Sequence, residues 1–319
     1  MTRVELRFDQ SSRESRTHTN LSAILVDETG LWVAGDETAT VEHLTWTGTL
    51  FDRQRGFRLA DYVDLPAGPE DEADIEGLAR QDGHLWAVGS HSLKRRRVKT
   101  KNPDKGVRRL ATVVREENRF ILVRLPLDPE TNAPAKGAIL SGRGENLADR
   151  LHDDPHLAPF LALPGKDNGL DIEGLAVDGD RVYVGLRGPV LRGWAVVLEV
   201  RPVADGPRLR LREPYRKHFL DLEGLGVRDI CPLGDGDLLL LTGPTMSLDG
   251  PVRLVRWSPR RQPELADDLE IVAELSYGRG CDHPEGISLL PDGRLLVAYD
   301  SPGLDRLTEH GVYADIVTL

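Results

Sequence analysis

Short apolar runs alternate with turn residues along most of the chain, and the clearest runs come in pairs. An apolar run at 78–79 is followed by Asp-Gly at 82–83 and by a second apolar run at 85–88. A short Asp-Gly turn between two such runs is typical of a β-hairpin. The same scheme returns at 175–185 and 287–297. The pattern therefore predicts a repeat of β-hairpins.

A six-residue motif stands at the start of these hairpins. Asp-Ile-Glu-Gly-Leu-Ala occurs at 74–79 and again at 171–176, with looser copies at 221–226 and 283–288. The number of residues from the apolar residue after the motif glycine, here called the anchor, to the start of the second apolar run is nearly the same in each hairpin. That spacing also recovers two hairpins without the motif, anchored at Ile24 and Ile230.

Hairpins repeated at roughly 50-residue intervals are typical of a β-propeller, whose four-stranded blades surround a central channel. Third and fourth strands should follow each hairpin, and the terminal segments 4–8 and 311–319 would close the ring. We expect an all-β fold, a five-bladed β-propeller of four-stranded antiparallel sheets with a short helical insertion. It forms one domain over 1–319, with six blades as the alternative if the long second repeat hides another hairpin.

Two insertions, about 91–118 and 142–165, break the alternation. The first contains a dense basic run at 94–105; we expect a solvated loop, with an anion-attracting flap as the alternative. The second has helical spacing, and Asp154 before Pro155 is typical of a helix start. His152 and His156 are four residues apart, but no Glu or Cys completes a metal spacing, so we expect both to face solvent.

Charge narrows the range of partners. The net charge of −11 over 319 residues argues against a general nucleic-acid binder and against an anionic membrane surface. The first residues lack the apolar core of a signal peptide, and no run approaches the ~20 apolar residues that cross a bilayer. We therefore expect a cytoplasmic protein in which the two cysteines, Cys231 and Cys281, remain thiols.

The repeat register predicts where polar residues meet. The first strand of each propeller blade lines the channel, so the starts of these strands converge at one end. The position two before each apolar anchor holds, blade by blade, Ser22, Glu76, Glu173, Arg228 and Glu285. Two residues earlier stand Asn20, Asp74, Asp171, Gly226 and His283. Because the second strand is antiparallel to the first, it returns to the same end and adds His91, Arg187 and Asp300.

Carboxylates near one axis repel one another unless a cation or an arginine compensates them, and hard oxygen ligands suit Ca²⁺ or Mg²⁺. We predict three ligands of such a divalent cation: Glu76, Glu173 and Glu285. Arg187 and Arg228 would bind an anionic ligand, and His91 would supply an acid or a base. Two alternatives stay open: the arginines could neutralise the glutamates by bidentate pairing, or the motif could be structural and cap backbone amides between blades.

The repeated Asp-x-Glu-Gly-Leu motif, with Gly-Leu-Arg-Gly-Pro at 185–189 and Gly-Leu-Gly-Val-Arg-Asp-Ile at 224–230, resembles an uncharacterised bacterial propeller family, a domain of unknown function. The resemblance spans most of the chain. More distantly, the motif is similar to that of the esterase-like phytase domain and of other calcium-associated propellers. The resemblance implies a propeller and a link to a cation or a phosphoester, and it carries no established catalytic residue onto these positions.

These observations predict a divalent-cation-dependent hydrolase of a small anionic ester, a phosphoester first, acting at the mouth of the channel. The sequence contains no Gly-x-Ser-x-Gly elbow, phosphate loop, Cys-x-x-Cys or dinucleotide fingerprint. The alternative is a non-catalytic propeller module that binds a protein or a small ligand, because a fold does not determine a function.

Overall fold

The computed structural model describes residues 2–98, 100–246, 248–278 and 281–319. The N-terminal strand is β1 (Thr2–Arg7), and helix α1 (Gln10–Glu14) follows it. The first four-stranded set then comprises β2 (Leu21–Val26), β3 (Gly30–Gly35), β4 (Thr40–Trp46) and β5 (Phe51–Arg58). The second repeat begins with β6 (Ile75–Gln81) and β7 (His84–Gly89).

An insertion separates these two strands from their partners. It contains β8 (Lys94–Arg95), α2 (Pro103–Leu110) and β9 (Val113–Val114), and the second set is completed by β10 (Leu122–Pro126) and β11 (Ala138–Leu140). After α3 (Leu147–Arg150), the third set comprises β12 (Asp171–Asp178), β13 (Arg181–Gly188), β14 (Trp194–Asp205) and β15 (Arg208–Asp221).

The fourth set comprises β16 (Gly226–Gly234), β17 (Asp237–Gly243), β18 (Val252–Trp257) and β20 (Glu270–Leu275), with the short β19 (Leu265–Ala266) pairing instead with β15. The last strands are β21 (His283–Leu289), β22 (Leu295–Asp300) and β23 (Gly311–Val317). Short 3₁₀ turns lie at Thr17–Thr19, Leu59–Asp61, Glu117–Arg119, Ala158–Phe160 and Gly165–Asp167. The all-β prediction is confirmed.

The strand order is that of consecutive antiparallel meanders. β1 pairs with β23, so the two ends of the chain share one set in the order β21-β22-β23-β1, with β1 outermost. The first and last sets join through a parallel contact at Leu6 and Phe51, and the second and third through Ile139 and Arg208. The terminal strands therefore close the structure as the sequence predicts.

The innermost strands are in contact with one another around a ring. β2 contacts β6, β6 contacts β12, β12 contacts β16, β16 contacts β21, and β21 returns to β2. Separate clusters of buried apolar side chains fill the spaces between consecutive sets. Each set therefore buries its faces against its two neighbours, which gives a propeller-like core rather than a two-layer sandwich.

The motif glycines explain how these strands approach so closely. A Cβ atom added to Gly77 would lie 2.7 Å from Cβ of Leu175, the apolar anchor of the next set. A Cβ atom added to Gly174 would lie 2.8 Å from Cγ1 of Ile230, the following anchor. In each Glu-Gly-Leu sequence, the glycine therefore leaves space for the apolar anchor of the next set. The leucine is the apolar anchor that packs against the glycine of the preceding set.

The packing of a motif glycine against an apolar anchor recurs between the last set and the first. It is replaced in the fourth set, which has no glycine at this position. A Cβ atom added to Gly286 would lie 3.0 Å from Cγ1 of Ile24. In the fourth set Asp229 takes the glycine position, and its carboxylate accepts the N–H groups of Ile230 (2.8 Å) and Ile287 (2.7 Å). A hydrogen bond thus replaces close packing at that junction.

The insertions differ from the prediction in detail. The basic segment at 94–105 is largely exposed, as expected, but the end of the segment starts the unpredicted helix α2; Lys99 lies outside the described residues. In the second insertion, Asp154 accepts the backbone N–H of His156 (2.9 Å) and of Leu157 (3.1 Å), yet only a 3₁₀ turn follows. The predicted helix from Pro155 is wrong, because Pro159 has no N–H to continue it.

No helix among the described residues is long and apolar enough to cross a membrane.

We predict that Gly174→Val destabilises the protein far more than Ala135→Val. The added side chain would overlap Ile230 and the backbone of Asp229, whereas Ala135 is exposed in a loop. Overpacking of this kind costs about 1–3 kcal/mol or more. Thermal unfolding of both variants measures the difference, and equal melting temperatures would contradict the close-approach interpretation.

Candidate functional site

One end of the ring collects the polar residues that the sequence singles out. Backbone pairing joins the start of each innermost strand to the end of the second strand, as Asp171 with Gly188, Gly226 with Gly243 and His283 with Asp300. We call this end, formed by the starts of β2, β6, β12, β16 and β21 and the ends of their partners, the mouth.

A β-bulge turns one side chain of every innermost strand out of the regular register. The antiparallel pairing skips a residue between Ile75 and Gly77, and the same skip recurs in the other four strands. The skipped residues are Ser22, Glu76, Glu173, Arg228 and Glu285. Bulges redirect side chains and are common beside active sites, so a shared backbone irregularity gives these five positions a shared orientation.

An unbroken chain of ion pairs joins four of the predicted site residues. Arg187 pairs with Glu173 and lies 3.0 Å from Asp171 (Nη2 to Oδ2). Arg228 lies 3.5 Å from Glu173 (Nε to Oε2) and holds Glu285 through both carboxylate oxygens, with Nε 3.0 Å from Oε2. Pairing of the arginines with carboxylates, the alternative considered from the sequence, is therefore what the structure contains at these residues, and it is bidentate between Arg228 and Glu285.

The ion pairs of Arg187 and Arg228 are largely buried, and this affects the pKa values of the paired groups. The side chains of Arg187 and Arg228 are only 9% and 13% exposed. Their pKa values are raised because nearby carboxylates outweigh the effect of burial. Burial raises the pKa of Glu173, and the two guanidinium groups oppose that rise. Both arginines therefore serve first as internal counter-ions.

A second ion pair involves an arginine that the sequence did not reveal. Arg119 lies 2.7 Å from Asp74 (Nη1 to Oδ2) and 2.8 Å from Glu116 (Nε to Oε2). Burial raises the pKa of Asp74 to about 6, and Arg119 opposes the rise. Arg119 lies between the end of the first insertion and β10 and has no counterpart in the other repeats, so no repeat signal pointed to it.

Glu76 and Asp36 remain without a compensating positive charge in contact. Among the described residues, Glu76 has no hydrogen-bond or ion-pair partner, and its pKa is raised strongly by burial and by Asp74 and Glu173. Burial and the neighbouring Asp74 and Asp300 raise the pKa of Asp36 to about 7. Glu76 is partly exposed although protein surrounds it, as expected for a side chain that faces a narrow opening.

His91 does not join this group. Its ring contacts Phe120 edge-on at 5.7 Å between centroids, and Nδ1 donates to the carbonyl of Gly89 at 2.9 Å. Burial lowers the pKa of His91 to about 4, so the ring is neutral near pH 7. Within the described residues it makes no hydrogen bond or ion pair to the glutamates, and its role as acid or base stays a prediction.

The three predicted metal ligands do not form one ligand set. In the part of the chain that the structure describes, no group of three or more His, Cys, Asp or Glu side chains is arranged to hold a metal ion. Glu173 and Glu285 face Arg187 and Arg228, whereas Glu76 is unpaired. The residues as placed fit an arginine–carboxylate network better than a three-glutamate metal centre.

The two insertions meet over the mouth. A Cβ atom added to Gly165 would lie 2.5 Å from Oδ2 of Asp171, so the turn at Gly165–Asp167 rests on this carboxylate. Arg95 from the first insertion lies 2.7 Å from Asp167 (Nε to Oδ2). The middle residue of the turn, Lys166, is exposed; burial raises the pKa of both Asp36 and Asp300, and Lys166 opposes the rise.

A family profile covers almost the whole of this arrangement. The profile described as "Protein of unknown function (DUF3616)" matches residues 20–315. The chain belongs to this family. The sequence resemblance to a propeller family of unknown function is thereby confirmed. No curated protein matches the chain.

Solved structures similar to this family member are distant. Glutaminyl cyclase of Myxococcus xanthus is 10% identical with a TM-score of 0.48, and the alignment covers 100% of this chain and 94% of that chain. The PQQ-bound aldose sugar dehydrogenase of Streptomyces coelicolor is 13% identical with a TM-score of 0.42, covering 93% of each chain. The WD40 propeller domain of Doa1 is 10% identical with a TM-score of 0.36, covering 100% and 86%. Likeness at this level carries no argument about activity.

We predict that Arg228→Ala destabilises the protein by about 3–5 kcal/mol, because Glu285 and Glu173 would lose their buried counter-ion. Arg256→Ala is the matched control: Arg256 is 45% exposed in the same set and pairs with Glu270 at 3.2 Å. An exposed pair of this kind contributes at most about 1 kcal/mol. Chemical denaturation compares the two, and similar losses would contradict the structural role of Arg228.

We also predict that Asp36 makes stability depend on pH. Its folded pKa of about 7 exceeds the ordinary value of 3.8, so the folded state binds more protons between these values and stability falls as pH rises through them. Asp36→Asn should remove a cost of about 1–3 kcal/mol at pH 8 and have little effect at pH 4. Melting temperatures at both pH values test this; a pH-independent difference would contradict it.

Proposed function

We propose that the protein is a hydrolase of a small ester, with the reaction taking place at the mouth. The observation that carries the proposal is the position of Glu76 and Asp36, two carboxyl groups of raised pKa without a contacting counter-ion, beside a fixed chain of ion pairs. Perturbed carboxyl groups at the opening of a fold are characteristic of acid–base sites.

The two carboxyl groups suit different steps of hydrolysis. Asp36, with a pKa of about 7, exists in both protonation states near neutral pH, as an effective general base requires. Burial and the neighbouring Asp74 and Glu173 raise the pKa of Glu76, which favours the protonated form that a general acid requires. In the proposed reaction, water gives a proton to Asp36 as its oxygen attacks the ester, and Glu76 gives its proton to the departing alcohol oxygen.

The ligand class follows from the charges that remain free. Arg187 and Arg228 are held by carboxylates, so they are less suited to bind an anion than the sequence predicted. Lys166 is exposed beside Asp36 and Asp300, and among the described residues no ion pair engages it. We therefore assign to Lys166 the contact with a negatively charged group of the substrate.

A divalent cation, Ca²⁺ or Mg²⁺, remains part of the proposal with a changed ligand set. A bound cation would relieve the repulsion between Glu76 and its acidic neighbours and would supply charge stabilisation for the reacting oxygen. Glu76 would hold such a cation only as the ionised carboxylate, and in that form the cation, in place of the proton of Glu76, would stabilise the departing oxygen. Glu173 and Glu285 would first have to leave their arginines, which makes them weaker candidates than the sequence suggested.

Two finer points belong to the same proposal. We infer that the ring has five blades, because the innermost strands of five four-stranded sets contact one another in a closed order. We also retain the cytoplasmic location, which the free thiols of Cys231 and Cys281 support.

The ion-pair chain also favours a second candidate, a non-catalytic binding module. If the main purpose of Arg187 and Arg228 is to hold neighbouring sets together, the mouth is structural and ligand recognition belongs to the insertions that cover it. A specific protein partner or a small ligand bound without turnover would support this candidate.

We predict that the purified protein hydrolyses at least one member of a panel of phosphomonoesters, carboxylic esters and lactones. Glu76→Gln and Asp36→Asn should each lower kcat by about 10²–10⁴-fold, the usual contribution of a positioned acid or base. The rate should rise with pH through about 7 as Asp36 loses its proton, a dependence that Asp36→Asn abolishes. Glu70→Gln, whose side chain is 85% exposed, serves as control.

Calorimetric titration with Ca²⁺ and Mg²⁺ tests the cation separately. Binding that Glu76→Gln abolishes and Glu70→Gln retains would support a metal at the mouth. If the native protein hydrolyses no member of the ester panel at any pH tested, with either cation present, the hydrolase proposal is excluded. The non-catalytic binding module would then remain.

A further inference from the structure

A second polar pocket lies apart from Glu76 and Asp36. Its volume is about 410 Å³, and it is lined by Arg115, Arg143, Gly144, Asp149 and His152. These residues come from the segment before β10 and the segment after β11, so the pocket lies at the rim of the second set, outside the innermost strand. The volume is within the range of small-molecule sites.

Two guanidinium groups in this pocket share a single carboxylate. Glu117 accepts from Nε of Arg115 at 3.0 Å through one oxygen and from Nη2 of Arg143 at 2.6 Å through the other. Both arginines lower the pKa of Glu117, which keeps the group ionised. One negative charge therefore faces two positive charges, and the guanidinium groups retain hydrogen-bonding capacity for a further acceptor.

The nearby aspartate does not restore the balance by direct pairing. Asp149 accepts the backbone N–H of Gly144 and the side-chain amide of Asn146, each at 2.6 Å. Gly142 and Gly144 both have positive φ, 89° and 83°, so the chain makes a tight loop around this carboxylate. Asp149 thus forms the pocket wall, and neither arginine is within ion-pair distance of it among the described residues.

An unpaired buried atom of a lining residue provides an independent observation. Nη2 of Arg115 is buried, and no described residue accepts its hydrogen bonds. Its guanidinium carbon stacks 3.5 Å from the ring centroid of Phe120, which fixes the side chain in place. Buried polar atoms are usually paired, so this one requires an explanation.

We propose that this pocket binds the anionic group of a small molecule, a phosphate or a carboxylate, through Arg115 and Arg143. Arginine presents paired N–H donors that match the oxygens of either group. Glu117 holds the two guanidinium groups side by side, and Phe120 holds Arg115 by stacking.

The site is independent of hydrolysis at the mouth, since it uses none of the residues assigned to that reaction. The proposal also specifies the anion-attracting alternative that the sequence left open for the first insertion. The residue that would bind the anion is Arg115, near the end of the insertion, and not the basic run at 94–105.

Calorimetric titration of the intact protein at low ionic strength tests the proposal, with inorganic phosphate and, separately, citrate as probes. Saturable binding of one probe at one site per chain is expected, and the preferred probe identifies the anionic group. Arg143→Ala should weaken binding at least tenfold without lowering the melting temperature, because the side chain is 79% exposed. Arg210→Ala is the matched control, an arginine 58% exposed that pairs with Asp205 at 2.8 Å.

Arg115→Gln provides a second variant that retains the stacked side chain but removes its charge; it should also weaken binding, as should high salt to a lesser degree. The proposal is overturned if neither probe binds saturably, if Arg143→Ala binds as tightly as the native protein, or if Arg210→Ala causes an equal loss.

Discussion

The close approach of neighbouring innermost strands is the constraint on which the rest of the structure depends. Gly77 and Gly174 leave no room for a side chain where the apolar anchors Leu175 and Ile230 pack. The contact is repeated from set to set, so each apolar cluster between sets is positioned by a backbone that a Cβ atom would displace. Small errors at one junction would be transmitted to the next, as in other structures built from repeated units.

The same backbone feature that permits the approach also creates the mouth. The residue before each motif glycine is the skipped member of a β-bulge, and its side chain is redirected from the regular alternation of the strand. Glu76, Glu173 and Glu285 therefore occupy equivalent places because the motif serves packing and orientation at once. Where the motif is absent, Ser22 uses its position structurally: its hydroxyl donates to the carbonyl of Ile75 at 2.5 Å.

Equivalent positions do not carry equivalent charges, and this asymmetry gives the mouth its chemistry. Arg228 replaces a glutamate in the fourth set and neutralises the two glutamates on either side of it. On the other side of the ring, Glu76 and Asp36 lack such a partner, and their pKa values rise. One half of the mouth is thus an ion-pair network, and the other half holds two carboxyl groups without a contacting counter-ion, a division that a symmetric ring of carboxylates could not produce.

The sequence by itself determined the all-β class, the hairpin repeat and the register that brings Glu173, Glu285, Arg187 and Arg228 to one end, because strand alternation and turn spacing are local properties that repetition reinforces. It also left open whether the arginines would bind a ligand or the glutamates. Only the tertiary structure decided this, through distances between sets far apart in the chain. The pairing of Arg119 with Asp74, the unpaired state of Glu76 and the position of His91 outside the group were equally beyond the sequence. Arg119 and His91 lie at the two ends of the first insertion, which has no repeat to fix its register, and the unpaired state of Glu76 depends on which carboxylates the arginines of other sets reach.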